Sequence, residues 1–545
     1  MRSSAALLVL LLVVVVSLSV GSVRLDSATS DEPAHIVNGV IKVSERWLGF
    51  FPEQPPLMNS LSALPVVLAG FRVEPGWKGR NHWAVGRHFL YDSGFDAYRI
   101  LFLARLPTIA LLAALVAVMY WFVLRQTGSG PWALAAAALT GFCPNLMAHG
   151  RLATVDLALA FFSFTATALL ISLMTRPAAP AAIAFGITAA AAAMSKISGL
   201  ILAPYFALVV AGAFAFGRIP DRRRFLRSLA IAVVAALVFF EAVGLAETGS
   251  TFAREQYPAT PLLLIPFAEY AANIRTISDW YAGGYRLPQF LLGEFSRDGW
   301  PHYYLVALLL KTPIPAIVLF IAAVVAGIRR RSFVLLALLS FIVLFLAVAA
   351  TGHLALGVRY VLPVYPFIYA ATIIAVSSTG LGRAGVAVVI VLIAWHIGEN
   401  VKTYPSYIAY FNQLIGSHRN ADKFLIDSNL DWGQDLRRLD AWAHAQGVKQ
   451  IAVHYFGGGS VEYEIRSAEP VVRRAPGPVP LPGGYFALSR HFYRVSFDPS
   501  VWGIDYDAVL AAMRARRVTT IGGSIDVYRV GEETASPAPT HSYSQ

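Results

Sequence analysis

The sequence predicts an α-helical polytopic membrane protein with a small external α/β domain, and three observations carry that prediction. Of 545 residues, 57% are hydrophobic and only 14% charged, and the mean hydropathy is +0.58, more apolar surface than a soluble core absorbs. Runs of about 20 apolar residues, the length that a hydrocarbon layer of roughly 30 Å requires, recur about eleven times. Basic residues collect in alternate connections between these runs, as a fixed orientation in a membrane demands.

The first run, Ala5 to Val23, follows Arg2. Its small closing residues Ser17, Ser19 and Gly21 would suit cleavage of a signal peptide, whereas its length suits a retained anchor. Either way, residues 24–99 are expected outside, too polar to re-enter lipid. Further spans are expected at 101–124, 131–147, 153–175, 179–195, 197–217, 228–246, 303–328, 333–351, 360–379 and 384–400. A cytoplasmic N-terminus places Arg125, Arg176, the Arg218 to Arg227 cluster, Arg329 to Arg331 and Arg383 all inside. The net charge of +12 is therefore a topology signal, with basic clusters anchoring at lipid headgroups and no nucleic-acid partner expected. One cysteine, Cys143, allows neither an intramolecular disulfide nor a cysteine-based metal site.

Three external regions remain: the loops 24–99 and 247–301, and a tail from 401. In the tail, Lys423 to Ile426, Gln450 to Phe456, Tyr485 to Leu488 and Val518 to Val530 read as strands, the last broken at Gly522 and Gly523. A helix over Trp432 to Gln446 makes residues 401–530 a small α/β domain, and Pro470 to Pro482 an extended loop. Residues 531–545, rich in Ser, Thr and Pro, read as a disordered tail.

Chemistry is expected at the external ends of the spans. Asp31, Glu32 and His35 follow the first span closely, and a carboxylate there suits acceptance of a proton from an attacking hydroxyl. The same residues also suit a helix start, with Ser30 as cap, Asp31 and Glu32 in the first turn and Pro33 at its beginning. Asp156 lies just inside a span, where an acid is costly and usually faces a functional cavity; an ion pair with Arg151 is the plainer alternative. Lys196, His353 and Arg359 sit where a phosphate head would lie, the arginine matching it through its planar fork. Singly, each also fits snorkelling to headgroups. No cofactor follows from these residues, although Asp31, Glu32, His35 and Asp156 offer oxygen and nitrogen ligands to a divalent metal.

The order of motifs resembles the GT-C glycosyltransferases, specifically the group of protein O-mannosyltransferases and lipid A aminoarabinose transferases. The resembling pieces are Asp31 to His35, Glu53-Gln54-Pro55-Pro56-Leu57, Gly150 to Asp156, Ser195-Lys196 to Gly199, Lys311-Thr312-Pro313, and His353 to Pro366 with Gly357-Val358-Arg359-Tyr360. The resemblance covers residues 1–400, which it implies are a transmembrane catalytic domain of about eleven helices. It implies an inverting transfer of a hexose or pentose from a polyprenyl-phosphate donor to a protein, lipid or glycan acceptor on the outer face of a bacterial plasma membrane.

Asp31 then carries acceptor activation, with Glu32 as neighbouring candidate and Asp156 as the second acid. The donor phosphate falls to Lys196, Arg359, Tyr360, His353 and Arg151, and the donor or acceptor loop contains Glu53 and Gln54. Members of the group carry lysine or histidine where this chain has Gln54, so a phosphate-binding cation is absent there and Arg359 or Lys196 compensates. A metal site, if present, would draw on Asp31, His35 and Asp156.

The tail segment Asp427-Ser428-Asn429-Leu430-Asp431-Trp432-Gly433-Gln434-Asp435 resembles a stretch in bacterial members of the group. Three readings stand for it: a departed calcium loop, with Arg438 where the bidentate glutamate belongs; a capping box of Asp431 with Gln434; and acceptor recognition by Asp427 and Trp432. The competing function class is a transporter or lipid-binding scaffold, which needs charge through both leaflets. Here the ionisable residues gather at outer span ends, Glu241 excepted.

Overall fold

The computed structural model describes residues 2–46, 54–78, 80–247, 259–282, 288–330, 332, 333–352, 354–472, 483–495 and 505–532. Expectations for Glu53, His353, most of the Pro-rich stretch and the tail beyond 532 lie outside the described residues.

Among the described residues, seven helices are long and apolar enough to cross a membrane: Ser4–Val23, Ala97–Thr127, Asp156–Thr175, Ile197–Ala215, Arg222–Ala246, Phe333–Thr351 and Arg383–Thr403. Most are apolar on every side, as a helix between protein and lipid must be. On Arg222–Ala246, for example, Val233, Val234, Leu237 and Val238 remain exposed, a surface that only a membrane would cover. The molecule is an integral membrane protein.

Four expected spans take a different form. The 303–328 run is a bent pair, Tyr303–Lys311 and Ile314–Val325 at 117°, because Pro313 cannot donate into a continuous ladder. Counting that pair as one span gives eight. The 131–147 run divides into Gly130–Gly141 and Pro144–His149, again at a proline. The runs at 179–195 and 360–379 become the shorter apolar helices Ala179–Ser195 and Val364–Ser377.

The described residues of the 24–99 region include a folded cap of three helices, Glu32–Glu45, Pro56–Leu68 and His82–Tyr91. Ile36, Val37, Val40, Ala63, Val66 and Phe89 form its core against Ile100 and Ala104 at the start of the second span. Gly39 lets the first two helices touch, since a Cβ there would lie 2.0 Å from the Asn59 carbonyl. Gly186 does the same between Ala179–Ser195 and Arg222–Glu247, against the Ala232 carbonyl. These contacts fix the backbone on which Asp31, His35 and Lys196 ride.

A ribbon of β1 (Gln289–Leu291) and β2 (Glu294–Ser296) precedes the bent pair. The C-terminal domain is one five-stranded sheet of β3 (Gln450–His454), β4 (Glu469–Val472), β5 (Tyr485–Ser489), β6 (Arg516–Ile521) and β7 (Ile525–Arg529), in the order β4-β3-β5-β7-β6. β3 runs parallel to β4 and β5, and β7 antiparallel to β5 and β6. Gly522 and Gly523 both take positive φ, 59° and 90°, as the tight β6–β7 turn requires. The helix Leu436–Ala445 buries Leu436, Leu439 and Ala443 on one face of the sheet, and Tyr506–Ala512 packs Tyr506 near Phe486 and Leu488 on the other.

Lys423 to Ile426 is not a strand: a 3-10 turn, His418–Lys423, leads into it, and Leu425 and Ile426 bury their side chains against the membrane bundle and the ribbon. The Asp431–Gln434 capping box does not form either. The helix begins later, at Leu436, while Gln434 Oε1 accepts from Trp432 N at 2.9 Å and Asp431 Oδ1 from Gly433 N at 3.2 Å. A calcium loop is equally unsupported, because Arg438 is bonded to Asp26 and Asp435.

Candidate active site

Four charged side chains from four separate stretches meet at one end of the bundle. Asp31 follows the first span, Asp156 opens Asp156–Thr175, Lys196 ends Ala179–Ser195, and Arg359 lies on the turn Val358–Val361. Arg359 Nη1 lies 2.9 Å from Asp31 Oδ2 and 3.5 Å from Asp156 Oδ2, and Lys196 Nζ lies 2.6 Å from Asp156 Oδ1. Tyr360 completes the group, its ring 4.4 Å from Lys196 Nζ and 4.8 Å from the Arg359 guanidinium carbon.

This network differs from a purely structural ion pair in two ways. Although buried, Asp156 Oδ2 and Arg359 Nε make no hydrogen bond, Oδ2 having only its ion pair with Arg359 Nη1, so each has capacity for a further partner. The carboxylates also differ in access: Asp31 keeps 20% of its side-chain exposure and Asp156 none. Asp156 pairs with Lys196 and Arg359, not with Arg151.

Two candidates stand elsewhere. The Glu32 carboxylate accepts from Arg105 Nε and Nη2 at 2.7 and 2.6 Å, from Thr29 N and from Ala153 N, all at full burial. Burial alone would raise its pKa, but the Arg105 charge and these hydrogen bonds hold it below the usual value. Its oxygens are spent on fastening the cap to the second span, which leaves none for an acceptor. Arg151, also fully buried, pairs with Asp26 and lies over the Tyr407 ring at 5.6 Å, so its guanidinium faces the protein rather than a phosphate.

His35 is buried beside the group, its Nδ1 2.8 Å from Asn59 Oδ1, and burial lowers its pKa. Among the described residues no three His, Cys, Asp or Glu side chains converge on a common point. As arranged, Asp31 and Asp156 face cations and His35 faces an amide, which does not fit a metal. The Gln54 carbonyl accepts from Lys42 Nζ at 3.4 Å, so a buried lysine absent from the motif reading lies beside the position that lacks a cation.

The segment Asp427 to Asp435 holds the site from behind. Asn429 Oδ1 accepts from Val358 N at 2.9 Å, its Nδ2 donates to Tyr303 Oη at 3.0 Å, and the Ser428 hydroxyl donates to Leu356 O at 3.1 Å. These bonds fix the turn that carries Arg359. Lys311, of the Lys-Thr-Pro motif, donates to the Asn429 and Ile408 carbonyls at 2.5 and 2.8 Å and anchors the segment to the bundle. Ser27 N donates to Gln434 O at 3.0 Å and Ser30 N to Trp432 O at 2.8 Å, so the approach to Asp31 is held by the same strip of chain.

Trp432, expected at an exposed acceptor surface, is instead buried with its ring 4.3 Å from the Arg359 guanidinium carbon and His149 behind it. Asp427 is half-buried, and desolvation raises its pKa to about 6 against the lowering influence of Arg359. No sequence rule joins residues 427–435 to residue 359. The signals in the sequence are a polar, Gly-containing run and its likeness to a stretch in bacterial members of the group.

Residues 48–238 match the model of the dolichyl-phosphate-mannose-protein mannosyltransferase family. No curated protein matches the sequence. Among solved structures, ArnT from Cupriavidus metallidurans in the apo state aligns over 98% of this chain and 100% of its own, at 12% identity and a TM-score of 0.51. The same protein bound to undecaprenyl phosphate aligns over 96% and 98%, at 13% identity and 0.47. The archaeal oligosaccharyltransferase AglB from Archaeoglobus fulgidus aligns over 96% and 74%, at 11% identity and 0.45. The chain has the fold of the apo ArnT structure and resembles the GT-C glycosyltransferases.

Proposed function

We propose that the protein is an inverting glycosyltransferase that moves a sugar from a polyprenyl-phosphate donor to a hydroxyl acceptor on the membrane face bearing the C-terminal domain. The observation that carries this reading is the Asp31–Arg359–Asp156–Lys196 network, in which two cations and an accessible carboxylate share one site at the membrane boundary. The matching family is named for a dolichyl-phosphate-mannose donor, which supports a lipid-phosphate sugar as the substrate class.

In the resting arrangement Arg359 is shared by two acids. A donor phosphate arriving between Arg359 and Lys196 competes for their donors through charge-assisted bonds and frees Asp31 from its partner. Asp31 then accepts the proton of the acceptor hydroxyl as its oxygen attacks the anomeric carbon. The bond to the phosphate breaks on the opposite face, inverting the configuration, and the polyprenyl phosphate leaves with its charge held by Arg359 and Lys196. Asp156, sealed from solvent, keeps both cations in place. Lys42, beside Gln54, supplies the positive charge that this loop lacks.

A transporter reading finds less support, because the ion-pair network lies at one end of the bundle rather than along it. Purified protein in lipid, given polyprenyl-phosphate sugars and nucleotide sugars in parallel, tests the donor class. Consumption of a polyprenyl-phosphate sugar with inverted anomeric configuration in the product is expected. Consumption of nucleotide sugars alone, or retention of configuration, would contradict the proposal.

A further inference from the structure

A second cationic site lies in the C-terminal domain, apart from the residues of the candidate active site. The free edge of the sheet, β6, and the turn at His418 and Arg419 enclose a cleft of about 600 Å³, within the range of small-ligand sites. Arg419, Arg490, Arg517 and His418 line it with Thr519 and Thr520, and no carboxylate is among the described lining residues.

The cleft is built rather than incidental. Arg490, only 3% exposed, donates to the carbonyls of His418, Arg419 and Gly523 at 3.0, 2.7 and 3.2 Å and pairs with Asp422, so it ties the turn to the β6–β7 hairpin. Asp422 is shared with Arg494, and Asp526 lies 3.8 Å from Arg490 and 3.4 Å from Arg517. Two acids behind the cleft thus answer four arginines, counting Arg419, whose side chain is exposed. The pairing of β6 with β7 shifts between Arg517 and Thr519, a bulge that leaves Val518 out of the ladder.

Its position says where an anion would come from. Asn412, one short turn before His418, caps the helix Tyr303–Lys311 by donating to Leu309 O and Thr312 O at 2.6 and 2.7 Å. That helix, half of the bent pair, buries Tyr303, Ala307 and Leu310 and exposes Leu305 and Leu309, apolar side chains that a membrane would cover. Leu414, beside it, is exposed too. Lys402 lies in the last turn of the final span, which the chain leaves shortly before Asn412. The cleft therefore opens at headgroup level.

We propose that this cleft binds a phosphate mono- or diester, supplied in the membrane by an anionic lipid headgroup, and so seats the C-terminal domain on the bilayer. Arginine forks and threonine hydroxyls suit phosphate oxygens, and each basic residue near an anionic surface contributes about 1 kcal/mol, or about fivefold in affinity.

The test uses the full chain, purified and delipidated in neutral detergent, with phosphatidylglycerol or phosphatidylcholine of identical acyl chains added and bound lipid counted by native mass spectrometry. Wild type is expected to favour phosphatidylglycerol, and Arg419→Ala/Arg517→Ala to lose about tenfold or more of that preference. Arg419→Gln, exposed and without a packing role, should lose several-fold and serves if the double variant unfolds. An unchanged preference in the variants would overturn the site. A thermal shift by millimolar inorganic phosphate that the variants abolish, with no lipid preference, would overturn the headgroup assignment and leave a soluble phosphate ester as the ligand.

Discussion

Arg359 is the residue on which the candidate site turns, because one guanidinium reaches both carboxylates. A lysine there keeps the charge but not the fork, so Arg359→Lys is expected to lower kcat/KM for the donor by about 10²- to 10³-fold, as loss of a preorganised electrostatic donor does. Steady-state transfer assays check this, with a retained thermal midpoint showing that the fold survives. Glu32, immediately after Asp31, should behave in the opposite way. Glu32→Gln leaves Arg105 buried against a neutral group, a change of the kind that costs about 3–5 kcal/mol, so thermal unfolding in detergent should show a large loss of stability. A fully stable but inactive Glu32→Gln protein would instead place Glu32 in the chemistry. Two adjacent acids are thus told apart by their partners, which the sequence could not reveal: Asp31 and Glu32 are equally good first-turn residues until Arg105 arrives from 73 positions away.

Elements matter here mainly as holders. Asn429 spends both ends of its amide on the turn before Arg359 and on Tyr303, so Asn429→Ala should cost about 1–3 kcal/mol of local order. It is expected to lower donor turnover well before it lowers the thermal midpoint. Trp432→Leu removes a cation–π contact worth about 0.5–2 kcal/mol and should lower kcat/KM from about twofold to thirtyfold, with Trp432→Phe retaining most of the activity. The short helix Val461–Glu464 docks the C-terminal domain on the cap and the start of the second span, with Tyr98 and Tyr91 donating to Glu464 at 2.9 and 3.4 Å. Burial raises the Glu464 pKa from 4.5 to about 7. The folded state therefore holds this proton more tightly than the unfolded state, and the resulting stability is full below about pH 4.5 and lost as pH rises through 7. Glu464→Gln removes the charge, its amide oxygen accepting from one tyrosine and its amide nitrogen donating to the other hydroxyl, so relative to wild type its thermal midpoint should rise at pH 8 and show no gain at pH 4. Equal differences at the two pH values would remove Glu464 from this role.

At the scale of the whole molecule, composition and charge placement made the membrane class legible, because lipid leaves no other place for so many uniformly apolar helices. The convergence of Asp31, Asp156, Lys196 and Arg359 was foreshadowed by their common position at outer span ends. Span continuity was less legible: Pro313 and Pro144 break runs that hydropathy alone joins. Least legible was the return of residues 427–435 to the turn that carries Arg359. It rests on hydrogen bonds across 71 and 126 positions, to Val358 and Tyr303, which no local period encodes. The central claim is that Asp31 activates an acceptor hydroxyl beside a cation-held lipid phosphate. The most direct test is sugar transfer from a polyprenyl-phosphate donor by wild type and Asp31→Asn in the same lipid, with donor binding measured alongside. Retained donor binding with loss of transfer is the predicted result; equal transfer by both proteins would contradict it.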